Sequence, residues 1–194
     1  MAAGTAPLTK AQRTLLQEAQ AIADLTKLDI SDLEEIDNQF RLVHLRMAIN
    51  RMVVAEIVIR YTLIDEILSD LIARYYFKVP KKSIHFQKLW RTKKFSTFTH
   101  HILDEIFLIK KMALVHAIKP LSKDVTSAIH RVNTIRNAFA HSFFPENRKE
   151  HRKNKKVLYN GKDIRTYEGI EAFIDDAHTA FNYLARRAFG RWTK

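Results

Sequence analysis

From Thr5 to Asn160 the chain contains no glycine, and only Pro7, Pro80, Pro120 and Pro145 interrupt it. Glycine and proline are the residues that most disfavour a helix interior, so their scarcity over so long a stretch predicts an all-helical protein, with the prolines at its corners. The apolar pattern agrees. From Ser31 to Val79, Leu33, Ile36, Phe40, Val43, Met47, Asn50, Val54, Ile57, Tyr61, Ile64, Leu68, Leu71 and Tyr75 follow alternating spacings of three and four. This is the seam of a coiled coil or a long bundle helix, and Asn50 is its only polar member. Ser31 or Asp32 is placed to cap it, with Glu34 and Glu35 in the first turn, where the helix dipole favours them. A second stripe, Leu42, Leu45, Ile49 and Met52 or Val53, predicts burial on two sides. A helix this long either bends near Asn50 or reaches a partner chain.

Residues 8 to 28 carry a shorter amphipathic pattern, Leu15, Leu16, Ala19, Ile22 and Leu25. "SIHFQKLW" is read as a short helix and "FSTFTHHILDEIFLIKKMALVHAI" as one helix ending before Pro120. The next helix opens at Ser122, an N-cap residue, and buries Val125, Ala128, Ile129, Val132, Ile135 and Phe139. Asn160-Gly161 between two short alternating runs predicts a type I′ hairpin, since both central positions need positive φ. A last helix runs from about Glu168 to Ala188 and stops before Gly190. With no linker-like segment, one domain over residues 1 to 194 is expected: a helical bundle with an N-terminal extension (1–30) and a basic loop with a small hairpin (146–166) before the last helix.

Charge narrows the partner. Lysine and arginine total 33 against 21 acidic residues, a formal net charge of +12. Such a balance favours a polyanion, nucleic acid before an acidic membrane. There is no cysteine, which excludes disulfides, thiolate catalysis and cysteine-ligated zinc. The opening "MAAGTAPLTKAQ" has no signal-peptide pattern and no apolar run is long enough to span a bilayer, so a cytoplasmic protein without membrane contact is expected.

Chemistry concentrates in "RNAFAH", residues 136 to 141. At about 100° per residue, Asn133, Asn137 and His141 fall within about 80° of one another, joined by His130. Arg136 diverges from His141 by about 140° of rotation and about 7.5 Å of rise. One helix therefore does not aim the two side chains at a common point, whereas two helix ends related by a twofold axis would bring each Arg136 to the partner's motif. Imidazole, with an unperturbed pKa of about 6.5, can take the ribose 2′-hydroxyl proton or protonate the leaving oxygen. Guanidinium clamps phosphate and the charge that develops on its oxygens. The plain alternative is a helix C-terminus dressed with basic residues.

"RNAFAH" at the end of a core helix in a small, basic, glycine-poor helical protein resembles the HEPN superfamily, whose RNase members carry R-x(4-6)-H, commonly with a polar residue after the arginine. Arg136 and His141 match the two invariant positions and Asn137 the polar one, and the similarity in helix order covers about two thirds of the chain. The resemblance implies a metal-independent endoribonuclease of toxin or antiviral type, active as a homodimer without cofactors, leaving a 2′,3′-cyclic phosphate and held in check by an antitoxin or regulatory protein. Its implied catalytic residues are Arg136, His141 and Asn137. Other HEPN domains only bind RNA or a partner protein.

Arg148, Arg152, Lys153, Lys155 and Lys156, in "NRKEHRKNKK", form a candidate RNA-binding strip; "KVPKK", "WRTKK" and Arg186, Arg187 and Arg191 could extend it. Its bland reading is a solvated charge run. His100 with Asp104, His101 with Glu105, and Glu171, Asp175 and His178 have chelating spacing, which leaves a metal-dependent hydrolase as a third, weaker reading. Asp65 and Glu66 are candidate acidic partners for Arg136. No zincin, phosphate-loop or serine-hydrolase signature occurs.

Overall fold

The computed structural model of the protein describes residues 8–26, 38–79, 89–140 and 156–190. Among them are six α-helices and one hairpin: α1 (Lys10–Thr26), α2 (Asn38–Tyr76), α3 (Lys93–Phe98), α4 (Leu108–Ile118), α5 (Lys123–Ala140), β1 (Leu158–Tyr159), β2 (Lys162–Asp163) and α6 (Tyr167–Phe189). Where the glycine-free stretch is described, its mostly helical reading is thus borne out, as is the hairpin before the last helix. The chain divides into two compact units, Met1–Val58 with Ala138–Ile174 and Ile59–Asn137 with Asp175–Lys194. No change of composition marks the division, because it falls inside α2, α5 and α6 rather than in linkers.

In the first unit, α1 opens with a reciprocal cap. The Gln12 amide donates to Thr9 Oγ1 (3.3 Å), and the Thr9 amide donates to Gln12 Oε1 (2.8 Å). Two amides that a helix start leaves without partners are thereby satisfied. The buried residues of α1 are Gln12, Ala19, Ile22 and Ala23. Leu15, Leu16 and Leu25 are only half-buried. Helix α2 passes Asn50 without a break. Its cap at Ser31 or Asp32 and the seam positions Leu33 and Ile36 lie outside the described residues. In this part of α2 the second stripe supplies the core: Leu45, Ile49, Met52 and Val53 are buried, whereas Val43 of the main seam is 53% exposed. Asn50 is buried and accepts a hydrogen bond from Arg165 Nε at 2.9 Å. The amide is therefore satisfied within its own chain, as a core position requires.

The hairpin turns at Asn160 (φ 49°) and Gly161 (φ 82°), pairing Leu158 with Asp163 and Tyr159 with Lys162. Tyr159 then packs edge-on against Phe173 of α6, with ring centres 5.5 Å apart. Thr166 caps α6: its hydroxyl donates to the Asp163 carbonyl (2.7 Å), while its own carbonyl accepts the Ile170 amide (3.0 Å). The Tyr167 amide donates to Glu18 of α1.

Gly169 is required by close approach rather than by its backbone angle. A Cβ there would lie 1.9 Å from the Asp163 carbonyl oxygen and 2.9 Å from the Ile164 Cα. Backbone cannot swing aside as a side chain can, so Gly169→Ala is expected to destabilise the protein by about 3 kcal/mol, the upper end for overpacking. Urea unfolding measures this, and a change below about 1 kcal/mol would show that the hairpin exit yields.

In the second unit, α5 buries the predicted face: Val125, Ala128, Ile129, Val132 and Ile135 are each at most 4% exposed. The Ser122 carbonyl accepts the Thr126 amide (3.1 Å), which sets Ser122 at the helix start. Arg131 holds Asp176 of α6 through a two-pronged bond, Nε to Oδ2 at 2.7 Å and Nη2 to Oδ1 at 2.9 Å. At Pro120 the chain turns with the Leu121 amide donating to His116 Nδ1 (3.1 Å). The last helix ends at Gly190 (φ 83°), whose amide donates to the Arg186 carbonyl (2.9 Å).

One expected helix is in fact two. After α3 the backbone widens into a π-turn, Thr99–Leu103, and breaks at Phe107 (ψ 151°) before α4 begins. The reason lies in two leucines five residues apart. Leu103 (2% exposed) and Leu108 (0%) are both buried, yet in a continuous helix they would point about 140° apart. The break gives both to the core and leaves Phe107 exposed. "SIHFQKLW" lies almost wholly outside the described residues.

Asp70 and Arg74 form an i,i+4 ion pair of 2.6 Å with both side chains nearly buried. Burial is the larger influence on Asp70 and raises its pKa above the usual carboxylate value, against the pull of Arg74. A carboxyl whose folded pKa is raised holds its proton longer folded than unfolded. Its contribution is therefore most favourable in acid and is lost as pH rises from about 4 through the folded value. Wild type is expected to lose stability relative to Asp70→Asn over that range, read from urea midpoints across pH; a difference independent of pH would refute it.

Candidate functional site

The described part of the site is formed by Arg136 and Asn137 of α5 and Tyr61 of α2, all within the second unit. Because Ile135 and Val132 are drawn into the core, the next residue, Arg136, is left half-buried at the margin of the apolar face. Its guanidinium lies over the Tyr61 ring, 4.8 Å from the centroid. Its Nη1 donates to the Asn137 side-chain oxygen at 3.3 Å. A guanidinium held by a ring face and an amide keeps its full charge and most of its donors for an anion. Tyr61 registers this neighbour: burial raises its phenol pKa, Arg136 lowers it, and Asp65 raises it.

Asp65 is not the partner of Arg136. It pairs with Lys111 of α4, Nζ to Oδ2 at 2.6 Å, and the lysine side chain is only 4% exposed. An ammonium so deeply buried has the stronger claim on the carboxylate, since leaving it unpaired would be the larger penalty. Glu66 is exposed. Among the described residues no carboxylate forms an ion pair with Arg136. The spacing of α5 signalled Arg136 and Asn137, but nothing in the sequence signalled Tyr61 as their neighbour. It reads there as one more seam position.

Asn137 and His130 are exposed and Asn133 is half-buried. His141 lies outside the described residues, as do Arg148, Arg152, Lys153, Lys155 and Arg191. Lys156 is exposed and, in the first unit, borders a cavity of about 540 Å³ together with Glu18, Arg46, Asn50, Asp163 and Arg165. Arg46 and Arg165 were not singled out by the sequence, since each is an isolated cation there.

Of the pairs with chelating spacing, His100 and Asp104 do meet, whereas Glu171 and His178 have other neighbours. His100 Nδ1 is 3.8 Å from Asp104, both well exposed, and its ring meets that of His101 edge to face. Glu171 accepts a hydrogen bond from the Tyr167 hydroxyl (2.9 Å), and His178 Nε2 meets the Arg60 guanidinium. Among the described residues no group of three or more His, Asp or Glu is arranged to hold a metal ion. Nor is any helix among them long and apolar enough to cross a membrane.

What fold and site define together is a basic, mostly helical protein with a hairpin before its last helix and an arginine poised on a tyrosine ring. No family model, curated protein or solved structure matches the chain.

Proposed function

We propose that this protein is a metal-independent endoribonuclease of the HEPN type, acting as a homodimer in which Arg136 of one protomer and His141 of the other serve one phosphodiester. Arg136 binds the scissile phosphate and stabilises the charge on its oxygens. His141 moves the proton, as general base for the ribose 2′-hydroxyl or general acid for the leaving oxygen. Asn137 steadies the guanidinium and adds a hydrogen bond. Attack by the 2′-oxygen on phosphorus, with departure of the 5′-oxygen, leaves a 2′,3′-cyclic phosphate. A toxin or antiviral role under an antitoxin or regulatory protein accompanies this reading, as does a cytoplasmic location.

The observation that carries it is the state of Arg136: half-buried, stacked on Tyr61, bonded to Asn137, and without a carboxylate among the described residues. An arginine that merely closes a helix has no need of such a seat. The alternative is a non-catalytic module of the same kind, in which the basic surface holds RNA or a partner protein.

Incubation with single-stranded and structured RNA, with and without EDTA, tests the proposal. Cleavage that survives EDTA and vanishes in folded His141→Ala supports it. Equal cleavage by both forms would remove the mechanism, and no cleavage of any substrate would favour the binding module.

A further inference from the structure

Away from Arg136, the second unit carries a surface that the proposed cleavage does not use. Between Asp70 and Asp104 the sequence has no acidic residue, yet it contains Arg74 and seven further lysines and arginines. The described part of this stretch holds a continuous run of aromatic rings. Tyr75 meets Tyr76 at 5.4 Å, Tyr76 meets Phe98 at 5.8 Å, and Phe98 meets Phe77 at 5.3 Å. Phe77 then meets Phe95 at 5.6 Å, and Phe95 stacks with Trp90 at 6.3 Å.

A run of rings this long would ordinarily belong to a core. Here its outer members stay open to solvent: Tyr75, Tyr76 and Trp90 are 57, 58 and 56% exposed. Lys78, Arg91, Lys93 and Lys94 lie within two residues of these rings in sequence and are exposed, with Lys94 Nζ lying 5.7 Å from the Phe77 ring centre. None of these four forms an ion pair with a carboxylate among the described residues. Like charges crowded without counter-charges favour a polyanion, and exposed rings favour flat apolar groups.

We propose that this aromatic and basic cluster is a docking platform for single-stranded RNA, unpaired bases stacking on Tyr75, Tyr76 and Trp90 while Lys78, Arg91, Lys93 and Lys94 meet the phosphates. The choice of RNA rests on the function proposed above. The single strand follows from the rings, since only unpaired bases have faces to offer them. An acidic membrane surface would share the charge requirement. It is the poorer match, because membrane-surface binding uses the broad apolar face of an amphipathic helix, and α3 has six residues.

Trp90 is its own reporter. The chain has two tryptophans, so a Trp192→Phe background leaves Trp90 as the only source of indole emission. With His141→Ala added to prevent cleavage, the full-length protein is titrated with a short oligouridylate, with duplex RNA, and with phosphatidylserine vesicles. Oligouridylate is expected to quench Trp90. By anisotropy of labelled RNA, Trp90→Leu should weaken binding about tenfold and Trp90→Phe should largely restore it. Lys93→Gln and Lys94→Gln should each reduce the salt slope by about 0.7. The proposal is overturned if oligouridylate leaves Trp90 unquenched, if duplex RNA quenches it equally, if vesicles alone alter its emission, or if folded Trp90→Leu binds as the parent does. Quenching by a protein whose wild type cleaves nothing would sink the nuclease and leave the platform standing. Cleavage without quenching would do the reverse.

Discussion

Alanine at His141 is expected to lower RNA cleavage by about 10²- to 10⁴-fold, the range a positioned proton-transfer group contributes. Arg136→Ala should fall comparably, and Arg136→Lys should not rescue it, because an ammonium cannot reproduce the two-pronged phosphate contact or the seat on Tyr61. The two alanine variants also test the dimer. Each is inactive alone, yet in a mixed dimer one composite site keeps both Arg136 and His141. If subunits exchange freely, about half of the dimers are mixed and each has one of two sites, so an equimolar mixture should regain about a quarter of wild-type activity. Single-turnover cleavage of a labelled RNA measures each case. A mixture as dead as its components, with exchange confirmed, would place Arg136 and His141 in the same protomer's site.

The largest effect on stability is expected at Asp65. With Lys111 almost wholly buried, Asp65→Ala would strand an ammonium in the core, and breaking such a pair typically costs about 3 to 5 kcal/mol. Lys111→Met should be milder, because the Asp65 side chain is 25% exposed and can turn to water. The double variant Asp65→Leu, Lys111→Met should recover most of the loss, since an apolar pair needs no compensation. Denaturant unfolding of the three proteins decides it, and a loss under about 1 kcal/mol in Asp65→Ala would mean that water reaches Lys111. Asp65 lies one helical turn beyond Tyr61, so the pair also fixes the part of α2 on which Arg136 rests. Some loss of activity should accompany the loss of stability.

Much of the fold was legible because it is written in local patterns. Three-and-four spacing placed α1, α2, α5 and α6, Asn160-Gly161 placed the hairpin, and the buried face of α5 was named residue by residue. Each depends only on neighbours within about one helical turn or one tight turn. The same pattern misled where burial depends on what lies opposite. Val43 and Tyr75 keep the seam spacing but are exposed, at 53 and 57%, because periodicity gives the direction of a side chain and not the presence of a neighbour to cover it.

For the candidate site, the sequence by itself determined which groups are candidates for the proposed chemistry, Arg136, Asn137 and His141 within six residues, and a net positive charge of +12. Tertiary structure alone decided their company. It set Arg136 on Tyr61, gave Asp65 to Lys111, Asn50 to Arg165, and broke a helix so that both Leu103 and Leu108 could be buried. Each of these pairings joins residues far apart in the chain or trades local helix geometry for burial. Such choices follow from the relative penalties of leaving a charge, an amide or a leucine uncompensated, and those penalties exist only once the elements have packed.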